Sequence, residues 1–208
     1  MCGDSDARTL LRASESPHGL VSCEDLMFIQ TENTPNPSTL KFLPGREVMP
    51  AGTADFGSAE AAIRSPLAAK LFTVDGVASV FLGGDFITVG KTEAATWGTL
   101  KPLLLSAIMD FFTAGLLPVI NEGTEKVSDG EETDIVRQIK ELLDTRVRPA
   151  VAQDGGDIIF RSFDDGIVYV HLQGACSGCP SSTATLKHGI ENMLKYYVPE
   201  VVAVQAVD

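Results

Sequence analysis

Apolar residues in the first half of the chain follow two spacings, one typical of strands and one typical of helices. Short runs of β-branched and aromatic residues bounded by Gly, Pro or Asn predict strands. Apolar residues three and four positions apart predict helices. The predicted strands are residues 27–32, 39–43, 77–82 and 86–89, and the predicted helices are residues 65–72 and 96–114. The apolar face of the second helix is Leu100, Leu103, Leu104, Ala107, Ile108 and Phe111.

The last third of the chain shows a second mixture of helical and extended patterns. Apolar residues at helical spacing are Ile135, Val136, Ile139, Leu142, Leu143 and Val147. We expect this helix to end before Pro149, because the residue before a proline avoids helical backbone angles. A turn at 153–157, strands at 158–161, 167–172 and 201–207, and a helix at 180–197 complete the segment. The predicted buried stripe of that last helix is Leu186, Ile190, Met193, Leu194 and Tyr197.

Residues 121–133 separate these two segments and have a different composition. They contain five acidic residues against one lysine, and two glycines. Such a run cannot bury enough apolar area to order itself, so we interpret it as a flexible acidic linker. The predicted organisation is a leader or upstream extension at residues 1–26, a domain at 27–120, the linker at 121–133 and a domain at 134–208. The predicted fold class is α+β, with two small α+β domains, and Met27 is an alternative start.

The charge of the chain narrows the classes of partner. Its formal net charge is −12 and its sequence pI is about 4.6. Nucleic acids and anionic membranes attract basic surfaces, so this balance argues against both as partners. The sequence also lacks an uninterrupted run of eighteen apolar residues, the length at which a spanning helix is expected. We therefore expect neither a nucleic-acid partner nor a membrane partner.

Four cysteines carry the candidate chemistry of the sequence. Cys2 and Cys23 lie in the polar leader, whereas Cys176 and Cys179 form a single C-x-x-C motif. This spacing lets two sulfurs face one metal ion or cluster. Pro180 suits the first position of a helix, so Cys179 is expected where the helix begins. Free backbone N–H groups at that end favour anions, which lowers the pKa of a thiol and stabilises a negatively charged cluster.

The number of thiolates suggests that one chain supplies half of a site. Structural zinc ions and cubane clusters usually have four protein ligands. The C-x-x-C motif provides two, Cys176 and Cys179, which we predict as the metal and cluster ligands. A second copy of the chain is the simplest source of the other two. A cluster shared in this way would be exposed and readily exchanged, as a carrier requires.

Two other interpretations of the motif remain open on these grounds. A strand, C-x-x-C and helix in succession is also the arrangement of thiol–disulfide oxidoreductases. Against this enzymatic interpretation, no aromatic residue directly precedes Cys176, and we do not expect a parallel βαβ unit around it. The second alternative is half of a zinc site in an interaction module, because zinc accepts the same thiolates.

Other polar residues are weaker candidates for a functional site. His171 alternates with apolar residues on a predicted strand, and we interpret it as a half-exposed strand residue. We expect His188 on the surface of the last helix. Asp154 and Asp157 flank two glycines, a setting typical of turn residues rather than of paired catalytic carboxylates. No catalytic residue is predicted.

The second domain resembles the C-terminal NifU-like domain of Nfu-type iron–sulfur scaffold proteins. The matching stretches are Gln153-Asp154-Gly155-Gly156-Asp157-Ile158, Leu172-Gln173-Gly174, residues 176–182 and residues 189–200. The first domain resembles the N-terminal Nfu domain. Its matching stretches are Phe28-Ile29-Gln30-Thr31, Thr34-Pro35-Asn36-Pro37 and Leu40-Lys41-Phe42. Together the two resemblances cover nearly all of the chain from Met27 onward.

The resemblance implies a carrier rather than an enzyme. Such a protein binds a [4Fe–4S] cluster between two subunits of a homodimer, through residues at the positions of Cys176 and Cys179. It receives or assembles the cluster with an upstream assembly scaffold and passes it to recipient apoproteins. Whether a [2Fe–2S] form is also held stays open. The leader is acidic, unlike a transit peptide, so we expect a bacterial, cytoplasmic protein, with the mitochondrial matrix as the alternative.

Overall fold

Two hydrophobic cores, one in each half of the sequence, organise the part of the chain that the structure describes. The computed structural model describes residues 28–118, 133–177 and 180–207. Helices and strands surround both cores, so the predicted α+β fold class is confirmed. The leader at 1–26 and all of the predicted linker except Thr133 lie outside the described residues. The boundaries of the two domains therefore stay a prediction.

The first half contains a five-stranded antiparallel sheet. Its strands are β1 (Gln30–Asn33), β2 (Thr39–Leu43), β3 (Ala54–Phe56), β4 (Val77–Leu82) and β5 (Ile87–Lys91), in the order β1-β2-β5-β4-β3. The predicted hairpin is confirmed, because β4 pairs with β5. Strand β3 was not predicted, since three residues are too few to show an alternation. The first strand begins at Gln30, three residues later than predicted, and Met27 lies outside the described residues.

Two helices cover one face of this sheet. They are α1 (Pro66–Phe72) and α2 (Trp97–Thr113). The Ser65 side chain accepts a hydrogen bond of 3.1 Å from the amide N–H of Ala68, which caps α1 at its N-terminus. Helix α2 buries five of the six predicted apolar positions, but Leu103 is 51% exposed. Leu103 lies at the margin of the apolar face, where helical spacing alone does not separate covered from exposed positions.

The second half begins with a helical segment that is longer than predicted. Helix α3 (Asp134–Leu142) continues through a π-helical turn (Leu143–Val147) into α4 (Arg148–Gln153). The expectation that the helix ends before Pro149 is therefore wrong. Pro149 lies in the first turn of α4, and the wider π-helical turn precedes it. A proline is tolerated at such a position because its missing N–H has no partner there.

A three-stranded sheet and one helix form the rest of this half. Its strands are β6 (Gly156–Asp164), β7 (Ile167–Gly174) and β8 (Ala203–Val207), in the order β6-β7-β8. Asp165 and Gly166 connect β6 to β7 with positive φ angles of 46° and 80°, the geometry of a tight hairpin turn. Helix α5 (Pro180–Tyr197), which has the predicted bounds, connects β7 to β8.

Strands β7 and β8 are parallel. The segment β7-α5-β8 is therefore a parallel βαβ unit, and our expectation that none surrounds the C-x-x-C motif was wrong. The sequence predicted the strand, the helix and the final strand of this unit, but local patterns do not show that two strands far apart in the sequence pair in parallel. The architecture around the motif thus does not by itself separate a carrier from an oxidoreductase.

The second core lies between this sheet and the helices. Its fully buried residues include Ile139, Val168, Leu194 and Val204. The predicted stripe of α5 is confirmed at Ile190 and Leu194, but Tyr197 is 38% exposed, and Val198 is buried in its place. No helix in the described parts of the chain is both long and apolar enough to cross a bilayer.

Candidate functional site

Cys176 lies in a tight turn between β7 and α5. We call residues 174–177 the cysteine loop. Three backbone hydrogen bonds shape it: Ala175 N–H donates to Gly155 O (3.1 Å), Cys176 N–H to Gln173 O (3.3 Å) and Ser177 N–H to Gly174 O (3.1 Å). The loop is therefore fixed to the start of β6 as well as to the end of β7.

The sulfur of Cys176 is packed against Gly156 at the start of β6. A Cβ atom added to Gly156 would lie 2.5 Å from Cys176 Sγ and 2.8 Å from Gln173 O. No side chain fits into this gap. The absence of a side chain at position 156 is thus what gives the sulfur its place against the sheet.

The thiol of Cys176 is held in its neutral form. The residue is 7% exposed. Burial, together with the nearby carboxylates of Asp154 and Asp157, raises the pKa of the thiol from 9.0 to about 12. In this arrangement Cys176 becomes a thiolate only when a metal replaces the proton or when its surroundings change.

Of the four cysteines, the structure describes Cys176 alone. Cys179, the second predicted ligand, lies outside the described residues, as do Cys2 and Cys23 of the leader. Helix α5 begins at Pro180, as expected from the sequence. The pairing of Cys176 with Cys179 at one metal site therefore stays a prediction.

Asp157 has a structural role that the sequence did not reveal. It is 3% exposed and accepts hydrogen bonds of 2.8 Å from both Nε and Nη2 of Arg148. This bidentate ion pair raises the pKa of Arg148. The interpretation of Asp157 as a simple turn residue was thus incomplete, because the arginine that pairs with it lies nine positions earlier on α4.

The remaining candidates behave as predicted. His171 is half-buried on β7, and its Nδ1 lies 3.0 Å from Val207 O on β8. His188 is exposed on α5, and Asp154 is exposed at the end of α4. Among the described residues, no three histidine, cysteine, aspartate or glutamate side chains lie close enough together to hold a metal ion.

A cavity of about 490 Å³ lies beside the cysteine loop. It is lined by Asp154, Cys176 and Leu186 of the second half and by Pro35 of the first half, among other residues. The two halves of the chain therefore meet at the predicted site. Any group that reaches Cys176 from this side passes between them.

Both halves match known protein families. Residues 29–115 match the family described as "Scaffold protein Nfu/NifU N terminal", and residues 139–205 match the family described as "NifU-like domain". A solution NMR structure of a NifU-like protein from Saccharomyces cerevisiae shares 25% identity and covers 52% of this chain and 97% of that one. Its TM-score of 0.43 is too low for a comparison of folds.

Curated relatives match most of the chain. The "NFU1 iron-sulfur cluster scaffold homolog, mitochondrial" of Drosophila willistoni is 55% identical over 194 residues, which are 90% of this chain and 66% of that protein. The human protein of the same name is 55% identical over 184 residues, which are 87% of this chain and 72% of that protein. The chain thus spans roughly two thirds of the length of these relatives.

The names of these relatives correct one expectation. We expected a bacterial, cytoplasmic protein, but the relatives are animal proteins named as mitochondrial. That expectation rested only on the acidity of residues 1–26, and the charge of a short leader is a weaker guide than identity over nearly the whole chain. With matches over both halves and 55% identity to these relatives, the chain belongs to the Nfu family, in which an Nfu N-terminal domain precedes a NifU-like domain.

Proposed function

We propose that this chain is an iron–sulfur cluster scaffold and carrier. In detail, two copies hold one [4Fe–4S] cluster between them through Cys176 and Cys179 of each chain, and they transfer it to recipient apoproteins. An upstream assembly scaffold supplies the cluster. The chain carries the cluster as cargo and does not turn over a substrate.

The position of Cys176 is the observation that carries this proposal. The residue lies in a loop, at the border of a cavity and three positions before the residue that would be its fellow ligand. The sulfur faces Gly156, where any side chain would clash with it. A loop tied to two strands holds one sulfur firmly, and two thiolates from each of two chains complete the four ligands of a cubane cluster.

Transfer by ligand exchange fits such a site. A thiolate of the recipient protein bonds to an iron atom of the cluster while the bond between that iron and Cys176 or Cys179 breaks. The released thiolate then takes up a proton. Because the pKa of Cys176 is raised in the cluster-free chain, protonation favours release of the cluster and disfavours its return. No electron is transferred in this exchange.

The parallel unit β7-α5-β8 is the observation that favours a second candidate, a thiol–disulfide oxidoreductase. Such enzymes attack with a cysteine whose pKa is lowered towards neutrality. Burial raises the pKa of Cys176 to about 12, so at neutral pH very little of it is the attacking thiolate. The carrier is therefore the better-supported candidate.

The experiment that tests the proposal is anaerobic reconstitution of the chain with iron and sulfide. Iron, sulfide and zinc per chain are measured together with the molar mass in solution. We expect about four iron and four sulfide per two chains, and a dimer that dissociates when the cluster is removed. Cys176→Ser and Cys179→Ser should each prevent stable cluster binding, whereas Cys23→Ser is the matched control and should not.

Two results would overturn the proposal in different directions. A metal-free monomer that cycles between dithiol and disulfide would support the oxidoreductase. Stoichiometric zinc without visible absorbance would support the zinc-stapled interaction module. A normal cluster load in Cys176→Ser would instead refute the ligand assignment while leaving the carrier function in place.

We also propose a mitochondrial location, because the relatives are named as mitochondrial. Fractionation of the source cells with an antibody against the chain tests this. Recovery of the protein with the cytosol alone would contradict it.

A further inference from the structure

A row of five residues crosses the N-terminal sheet on the face that α1 and α2 leave uncovered. The row runs in register from β1 to β3 through the pairs Glu32–Lys41, Lys41–Thr88, Thr88–Phe81 and Phe81–Asp55. Residues directly opposite each other on neighbouring antiparallel strands project from the same face. We call these five residues the docking row.

The centre of the docking row is buried, although it belongs to neither hydrophobic core. Lys41 is 7% exposed, Thr88 is 2% exposed and Phe81 is 1% exposed. An outer sheet face with a lysine and a threonine at its centre is normally in contact with water. Here the NifU-like domain covers it.

Two polar residues of the docking row donate hydrogen bonds to the turn between α4 and β6. Lys41 Nζ donates to Gln153 O at 3.0 Å, and Thr88 Oγ1 donates to Gly155 O at 2.7 Å. Lys41 Nζ also lies 3.3 Å from Glu32 Oε2, which keeps its charge paired. Both acceptors are backbone carbonyls, so these two contacts depend on the backbone conformation of the turn and not on its side chains.

The other end of the docking row contacts the cysteine loop itself. Phe81 lies so close to Gly174 that a Cβ atom there would be 2.8 Å from its ring. Asp55 lies near the backbone of Gly174 and near the side chain of His171. The row thus spans from the turn before β6 to the loop after β7.

Two contacts outside the row complete the cover. Asn36 Nδ2 donates to Ser177 O at 3.1 Å, directly after Cys176 in the loop. Thr53 Oγ1 donates to Asp157 Oδ2 at 2.7 Å, close to Gly156. Asn36 is itself 5% exposed, and its Oδ1 accepts from Ser38 N–H at 3.0 Å, so its amide is held in place. The N-terminal domain therefore contacts both chain segments that flank Cys176.

We propose that the docking row is a binding surface for the turn at residues 153–155 and for the neighbouring cysteine loop of the same chain, and that it closes this loop until the N-terminal domain moves away. The proposal rests on the proposed function in one respect, that a second copy must approach Cys176 to share a cluster. Two cysteine loops can share one cluster only if their surfaces meet. In the closed chain, Asn36 is hydrogen-bonded to Ser177 of that loop, and Pro35 lines the cavity beside Cys176, so the N-terminal domain lies where a second copy would approach.

The contacts suit a reversible closure. Single hydrogen bonds of this kind each contribute only modestly to stability, and interfaces between domains of one chain resemble transient protein–protein interfaces. A few such bonds hold the domains together without preventing their separation. The N-terminal domain would thus protect the thiol between one cluster and the next.

The test measures access to Cys176 in a full-length chain in which it is the only cysteine, with Cys2, Cys23 and Cys179 replaced by Ser. The rate of alkylation by iodoacetamide is measured at one fixed pH. Lys41→Glu places a second acidic group beside Glu32 and removes the donor to Gln153 O. We expect alkylation to become about tenfold faster, the factor that corresponds to about 1.4 kcal/mol.

The matched control is Lys101→Glu, the same charge reversal on the exposed surface of α2. It should leave the rate unchanged. Thr88→Val is a milder variant that keeps the shape of the strand and removes one hydrogen bond, and it should accelerate alkylation about fivefold. The fluorescence of Trp97, whose indole N–H donates to Pro37 O at 3.1 Å, reports whether the N-terminal domain stays folded.

Equal alkylation rates in the parent chain, Lys41→Glu and Thr88→Val, with unchanged Trp97 fluorescence, would overturn the closure. This outcome is independent of cluster chemistry, because a chain with one cysteine is not expected to hold a cluster. Reconstitution of the four-cysteine chain separates the two proposals. Fast alkylation of the variants without any cluster binding would support the closure and refute the carrier function. A cluster-bound dimer with equal alkylation rates would support the carrier function and refute the closure.

Discussion

The sulfur of Cys176 and the α-carbon of Gly156 are so closely packed that a methyl group on Gly156 would lie 2.5 Å from Sγ. The same methyl group would lie 3.0 Å from the backbone nitrogen of Cys176. The cysteine loop would have to move to accept it. The geometry of the predicted ligand therefore depends on a residue twenty positions earlier in the sequence.

Gly156→Ala is expected to displace the cysteine loop. Because backbone atoms as well as Sγ must shift, we expect the free energy of unfolding to fall by about 2 kcal/mol. The reconstituted chain should also hold less iron. Urea denaturation and iron analysis measure the two effects.

Gly189→Ala is the matched control for this substitution. Gly189 lies in α5, and a Cβ atom there meets nothing within 4 Å. Alanine favours a helix over glycine by about 1 kcal/mol, so this variant should be more stable and keep its iron. Equal stability of the two variants would show that Gly156 is not packed tightly against Cys176.

Asp157→Asn is expected to weaken the link between α4 and β6. The side chain is buried and accepts two hydrogen bonds from Arg148, which would keep only the exposed Asp144 as its paired charge. We expect a loss of about 2 kcal/mol in the free energy of unfolding, less than for a fully buried pair because Arg148 is partly exposed.

The matched control is Asp144→Asn, which removes the other carboxylate that contacts Arg148, at 3.2 Å. Asp144 is 61% exposed, and exposed ion pairs contribute little, so the loss should be less than about 0.5 kcal/mol. If both variants unfold at the same urea concentration, the buried ion pair with Asp157 contributes no more to the free energy of unfolding than the exposed pair with Asp144.

The elements around the site could be predicted where local chemistry determines them. Strand β2 and helix α5 have the predicted bounds, because a proline marks the start of α5 and Pro44-Gly45 stops β2. Cys176 could be predicted as a candidate ligand for the same reason, because the local spacing of glycines, cysteines and proline indicates the loop in which it lies.

The hydrogen bonds between the two halves around Cys176 could not be predicted, because they join residues far apart in the sequence. Thr88 and Gly155 are 67 positions apart, and Asn36 and Ser177 are 141 apart. Lys41 and Thr88 alternate with core residues, which in a sequence indicates a face in contact with water. Only the fold shows that the NifU-like domain covers this face.

Pro102 and Pro149 are expected to affect stability in opposite directions. Pro102 lies inside α2, where it cannot donate a helical hydrogen bond, so Pro102→Ala should raise the free energy of unfolding by about 1 kcal/mol or more.

Pro149 lies in the first turn of α4, where proline restricts the unfolded chain and costs no hydrogen bond in the folded chain. Pro149→Ala should therefore lower stability by about 0.5 kcal/mol. Urea denaturation of both variants tests the prediction, and a gain in stability from Pro149→Ala would contradict the premise that Pro149 costs no helical hydrogen bond.

The raised pKa of Cys176 predicts a loss of stability at high pH. Burial, with Asp154 and Asp157, raises the pKa from 9.0 to about 12, so the folded chain favours the neutral thiol more than the unfolded chain does. The resulting stabilisation is fully present below pH 9 and is lost as the pH rises through 12. Between these values it should fall by about 1.4 kcal/mol per pH unit.

The measurement compares two full-length chains that differ only at position 176, one with Cys176 as its only cysteine and one with Cys176→Ala. Their difference in unfolding free energy is followed by urea denaturation from neutral pH upward, which cancels the titration of tyrosines and lysines common to both. The cysteine chain should lose stability relative to the alanine chain once the pH exceeds 9.0, the ordinary pKa of a thiol. A constant difference would mean that the thiol ionises equally well in the folded and unfolded chain. The neutral, buried thiol on which the account of cluster release depends would then be wrong.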